Sequence, residues 1–171
     1  MIKTSLLIFM TFWLSACTQI TSFNQYSSGS HLKSGKWALL PFKNLAETPK
    51  ASQRAESIVI SVLFSKGYQV DHYPETDKDD LADLLNDDKK QKNATVWARK
   101  QGYRYLVSGD VTEWRYKTGL DADPSVGLSI RIVDLEQDKV IYQRSGAKVG
   151  WGYSNLSTTA QKLLEKLLAE I

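Results

Sequence analysis

Val126-Gly127-Leu128-Ser129-Ile130-Arg131-Ile132 decides the fold, because four large apolar residues alternate strictly with glycine, serine and arginine. A period of two sends successive side chains to opposite faces, so this run is a strand buried on one face. The short polar connection Glu136-Gln137-Asp138 leads into Val140 to Val149. Two such runs joined by a tight connection predict an antiparallel hairpin. On the N-terminal side, Tyr105 to Tyr116 is rich in aromatic and β-branched residues and predicts a long strand. On the C-terminal side, Leu156, Ala160, Leu163, Leu164, Leu167, Leu168 and Ile171 recur at helical spacing. That stripe needs a sheet to cover.

Nearer the N-terminus, Trp37-Ala38-Leu39-Leu40-Pro41-Phe42 reads as a first buried strand closed by Pro41. Thr48 and Pro49 predict the N-cap and first residue of a helix that carries Ala51, Ala55, Ile58, Val59, Val62 and Leu63 and ends at Gly67. Tyr68 to Tyr73 is a second strand. Residues 75–92 are dense in Asp and Lys, with Leu81, Leu84 and Leu85 as the large apolar groups, and predict a short solvated helical segment. Asp77, Asp79 and Asp83 lack the glycine and closing glutamate of a calcium loop, so no metal site is expected. Ala94, Trp97 and Ala98 mark another helix, stopped by Gly102. The expected order is β-α-β-α-α-β-β-β-α, an α+β fold with helices packed on a mixed sheet.

The N-terminus carries a different signal. Lys3, the apolar run Leu6 to Leu14, and Leu14-Ser15-Ala16-Cys17 together read as a bacterial lipoprotein signal peptide over residues 1–16. An ordinary secretory signal with a chance cysteine is the alternative. At roughly a dozen residues the run is shorter than the about 20 that a bilayer core needs. Cys17 is the single cysteine of the chain. As the mature N-terminus it would bear diacylglycerol on its thiol and an acyl group on its amine, and several acyl chains anchor where one binds marginally. No other cofactor is expected. Thr18 in place of an aspartate directs such a lipoprotein to the outer membrane. Residues 17–35, rich in Ser, Thr, Gly and Asn, have the composition of a tether, leaving 36–171 as one periplasmic domain.

Of 171 residues, removal of 16 leaves 155, a length suited to one core. The signal removes one lysine and no acid, so the net charge falls from +3 to +2, too balanced to imply nucleic acid. An enzyme is not expected either. The two histidines, His31 in the tether and His72 at a strand end, have no evident partner, and no nucleophile elbow, phosphate loop or metal-ligand spacing appears. Two loops stand out instead. Gly119-Leu120-Asp121-Ala122-Asp123-Pro124 puts two acids between two strands, either as a solvated turn held by Asp side chains or as an acidic rim for a cationic ligand. Gly150-Trp151-Gly152-Tyr153 sets an indole between glycines, where it either folds onto the core or meets a membrane or partner.

Several stretches together resemble the PelC family, outer-membrane lipoproteins of the Pel exopolysaccharide secretion system. They are Gly35 to Phe42, Thr48-Pro49 with Arg54-Ala55-Glu56, Trp97-Ala98-Arg99 with Gly102-Tyr103, Gly109 to Lys117, and Gly150-Trp151-Gly152-Tyr153. The resemblance implies a fold similar to the periplasmic domain of CsgG and the N-terminal domain of TolB. It also implies a homo-oligomeric ring of twelve subunits on the periplasmic face of the outer membrane, beneath a β-barrel exporter. On this resemblance Cys17 matches the acylated cysteine in the inner leaflet, and Trp151, with Tyr153 beside it, the membrane-facing aromatic. Asp121 and Asp123 become candidates for an acidic lumen that guides a cationic polysaccharide. A penicillin-binding-protein activator such as LpoB is an alternative with a related fold, but it uses a long tether. About 18 residues here span at most about 60 Å.

Overall fold

A computed structural model describes residues 34–74, 86–118 and 122–171. In chain order the elements are β1 (Trp37–Leu39), β2 (Lys43–Asn44), α1 (Ala51–Ser65), β3 (Val70–His72), α2 (Asp87–Lys100), β4 (Tyr105–Tyr116), β5 (Pro124–Asp134), β6 (Lys139–Val149) and α3 (Leu156–Leu167). The sheet runs β3-β1-β4-β5-β6, with β2 paired to β4 off this path. β1 is parallel to β3 and β4, while β4, β5 and β6 form an antiparallel meander. The fold is therefore α+β with a mixed sheet, as the apolar patterns imply.

Alternation along the strands divides the core in two. Trp37 and Leu39 of β1, Val107 and Val111 of β4 and Val126, Leu128, Ile130 and Ile132 of β5 meet the apolar stripes of α1 and α3. Ala38 and Leu40, one residue out of phase, face the other way with Leu106 and Tyr73 onto Ala94 and Ala98 of α2. Gly109 is required where the layers converge: a Cβ there would collide with the Ser129 carbonyl and come within 2.7 Å of the Phe42 ring.

Four details differ from the sequence expectation. Leu40 still donates its N–H to the Val107 carbonyl at 2.8 Å, but Pro41 has no N–H and ends the ladder, so the first strand stops at Leu39 and resumes as β2. α1 begins at Ala51, not at Pro49. Its N-cap Lys50 has left-handed φ of 60° and no side-chain cap, while the Thr48 hydroxyl donates to the Trp114 carbonyl and so ties the loop to β4. The second strand is confined to Val70–His72. Finally, Asp87–Lys100 is one continuous helix, where the sequence predicts a segment ending at 92 and a separate helix after it. Asn86 caps it by accepting from the Lys89 N–H at 3.1 Å, Asp87 and Asp88 occupy the first turn, and Arg99 and Lys100 the last. These charges complement the helix dipole at both ends, and only the small residues Ala94 and Ala98 are buried. Residues 75–85, including Asp77, Asp79 and Asp83, lie outside the described residues.

Candidate functional site

The three meander strands end together. Tyr116 lies opposite Pro124, Arg115 opposite Ser125, and Ser125 opposite Val149. The β4–β5 loop and the segment after β6 therefore leave the sheet side by side.

Backbone chemistry fixes the second of these. The Gly150 N–H donates to the Pro124 carbonyl at 2.8 Å. A Cβ at Gly150 would come within 2.6 Å of Thr159 Oγ1 and 2.7 Å of Pro124 Cγ, so only glycine lets the chain pass so close to α3. Gly152 has φ of +64°, the left-handed region that favours glycine. The Ser154 hydroxyl donates to the Trp151 carbonyl at 2.9 Å, and Asn155 caps α3 by accepting from the Thr158 N–H at 2.8 Å. Held at both ends, this turn projects its large side chains outward: Trp151 is 86% exposed and Tyr153 fully exposed. The indole lies outside the core, which removes one of the two positions the sequence leaves open for it. Tyr116 and Val149 are exposed large hydrophobics at the same end, and Arg115 and Lys117 flank them. Amphipathic rings beside cations suit a membrane–water boundary or a partner surface.

Asp121 lies outside the described residues, as does Cys17. Asp123 is half-buried, and its carbonyl accepts from the Lys117 N–H at 2.8 Å, closing the loop one residue beyond the end of the ladder. The adjoining Ala122 has φ of 42°. Register thus brings Asp123 to the same end of the sheet as Trp151 and Tyr153, a juxtaposition that sequence spacing does not reveal. Glu113 lies a turn of pleat below. Burial opposes ionisation of its carboxyl, but hydrogen bonds from Ser125 and Arg115 (3.0 Å to the latter) and the charges of Arg115 and Lys117 outweigh it, holding the pKa below the usual carboxylate range. Asp110 accepts from the Ser129 hydroxyl at 2.7 Å.

One polar junction escapes the sequence reading. Glu56 is buried inside α1, accepts the Phe42 N–H at 2.8 Å and lies 2.9 Å from His72 Nε2. His72 therefore has a partner, contrary to the expectation from sequence. The carboxylate ties α1 to the β1–β2 connection and to β3, satisfying a backbone donor next to Pro41 that no strand reaches. A signal was available: Glu56 stands three, four and seven residues before Val59, Ile60 and Leu63, on the flank of an apolar stripe, where a carboxylate requires partners. Among the described residues no group of three or more His, Cys, Asp or Glu side chains is placed to hold a metal.

No protein-family model matches the chain, and no curated protein is similar to it at a significant level. Solved structures are. A substituted PelC dodecamer from Paraburkholderia phytofirmans is 34% identical, covering 88% of this chain and 94% of that one with a TM-score of 0.67. A second structure of the PelC dodecamer from the same organism is 32% identical, covering 88% and 95% with a TM-score of 0.65. Lipoprotein GNA1162 from Neisseria meningitidis shares the fold, at 16% identity and a TM-score of 0.55 over 78% of this chain and 95% of that one. With a third of its residues identical across nearly the full length of a solved relative, the chain belongs to the PelC family.

Proposed function

We propose that the chain is an outer-membrane lipoprotein, acylated on Cys17, that assembles into a homo-oligomeric ring on the periplasmic face of the outer membrane. The ring guides a cationic exopolysaccharide, Pel, to a β-barrel exporter. The observation that carries this reading is the exposure of Trp151 and Tyr153 on a backbone-fixed turn at the same sheet end as Asp123. Bare aromatic surface of this kind marks an interaction site. The dodecameric assembly of relatives at 32–34% identity supports the ring, since a head-to-tail interface that closes produces one.

In this reading the aromatics rest on the inner leaflet and the Asp121–Asp123 loop stands at the membrane-side mouth of the ring. Repetition around the ring multiplies two carboxylates into a band of negative potential, which raises the local concentration of a polycation without tight binding at any point. Two measurements test this. A soluble form beginning near Ser22 gives a large discrete oligomer by native mass spectrometry; a strict monomer at high concentration refutes the ring. Replacing Asp121 and Asp123 together by Asn lowers secreted polysaccharide and by Lys lowers it further, at equal protein level and ring yield. Unchanged secretion with the double Lys variant removes this loop from the lumen.

A further inference from the structure

The outer side of α1 is unlike that of the other helices. α2 exposes Asp88, Lys89, Lys92, Arg99 and Lys100, and α3 exposes Lys162, Glu165 and Lys166. On α1, Arg54 is the single exposed charge, and from Ser57 to Ser65 no charged residue occurs. A helix face turned to water ordinarily carries charged and polar groups free to hydrate. Here even the hydroxyls are turned back on the helix. Ser57 donates to the Gln53 carbonyl and Ser61 to the Ser57 carbonyl, each at 3.0 Å, and Ser65 donates to the Val62 carbonyl at 2.8 Å. Their hydrogen bonds are made within the helix, so about two and a half turns present a smooth, uncharged surface. Phe64, 69% exposed, stands on it beside Ser61.

We infer that the Ser57–Ser61–Phe64 face of α1 is the contact between neighbouring copies of this chain, meeting a different surface of the next copy. This rests on the ring reading above. Relatives at 32–34% identity are dodecamers, and a head-to-tail ring covers two different surfaces of every subunit. Depletion of charge with an aromatic side chain at the centre is the composition of an interface core. The other occupants suit this face less well. It offers no carboxylate to a cationic polysaccharide. Tyr68, four residues after Phe64, stacks on Trp37 with centroids 4.7 Å apart, and Trp37 pairs with Tyr105, the first residue of β4. Phe64 therefore lies toward the sheet end remote from Trp151, which sits at the level of Arg115, so a flat membrane that meets Trp151 does not also cover Phe64.

The test uses the full lipidated protein in detergent, with the oligomer followed by native mass spectrometry across a dilution series and the fold by near-ultraviolet circular dichroism. Ser61→Ala keeps the face smooth and leaves the oligomer unchanged. Ser61→Lys and Ser61→Glu each bury an unpaired charge and weaken association at least about tenfold, with unchanged dichroism. Because both signs act alike, the effect reports burial of the position and not the pairing of one charge. Phe64→Ser weakens association in the same way. Val96→Lys places a charge on α2 at a residue 46% exposed and leaves the oligomer intact. An oligomer that survives either charge at Ser61, or an equal loss with Val96→Lys, overturns the assignment, whether the face then meets lipid, polysaccharide or water. A monomeric unaltered protein instead refutes the ring, and this contact with it.

Discussion

Replacing Trp114 and Trp151 in turn separates the core from the exposed end of the sheet. Trp114 is 1% exposed, set in β4 opposite Val126 and packed within the apolar layer under α1 and α3. Its truncation to Ala removes a fully buried indole and opens a cavity, a cost of about 3–5 kcal/mol. The Trp114 Nε1 donor has no acceptor among the described residues, so the loss is one of packing alone. Trp114→Phe, which keeps an aromatic ring and eliminates that unpaired donor, therefore costs less than the Ala variant. Trp151 is 86% exposed, and Trp151→Ala falls within about 0.5 kcal/mol of the parent. For a domain of this size about 3 °C accompanies each kcal/mol. Scanning calorimetry at one fixed protein concentration should then show a Tm lower by about 10–15 °C for Trp114→Ala and by at most about 2 °C for Trp151→Ala. If the proposed role of Trp151 holds, polysaccharide secretion should fall in Trp151→Ala at normal protein abundance. A Tm loss for Trp151→Ala comparable to that of Trp114→Ala would refute the reasoning, since it would mean that the ring is buried.

Glu56→Ala strands the Phe42 N–H and removes the carboxylate from beside His72, and should cost about 1–3 kcal/mol by urea denaturation, whereas Glu56→Gln keeps an acceptor for Phe42 and costs less. Burial, the main cause, pushes the Tyr142 phenol up to about 12, and its hydroxyl donates to the Leu167 carbonyl. A raised pKa favours the protonated form in the folded state, so this stability is complete below pH 10, the model-peptide value, and is lost as pH rises toward 12; Tyr142→Phe flattens that alkaline loss in a pH series of denaturation midpoints. Cys17→Ser removes the acyl acceptor, and mass spectrometry of the variant should find no acyl groups and fractionation no outer-membrane association.

The meander and α3 were legible in sequence because their side chains obey one period without interruption: two in Val126 to Ile132, 3.6 in Leu156 to Leu168. The α1 start was not, since Thr48 and Pro49 have the composition of a helix start while the Thr48 hydroxyl is engaged by a carbonyl 66 residues away. α2 was divided in two because its length depends on end charges and two alanines, with no apolar stripe to mark it. At the site, Trp151 and Tyr153 were found from glycine flanks, but glycines permit either direction for an indole. Their meeting with Asp123 follows from cross-strand register, which no local pattern encodes.

The place of β1 in the sheet bears on the order of folding. Among the described residues the first strand in chain order is an interior one, held between β3, whose Val70 it meets 33 residues later, and β4, whose Tyr105 it meets 68 residues later. The β4–β5–β6 meander closes through short connections, so its contacts are cheap in loop entropy, whereas the parallel pairings of β1 wait for distant partners. The β1–β3 pair can close early over α1, but the sheet stays incomplete until β4 has followed and joined it to the meander. Cooperative folding of the whole domain therefore waits for the chain from β4 onward, which carries three of the strands and one of the helices described.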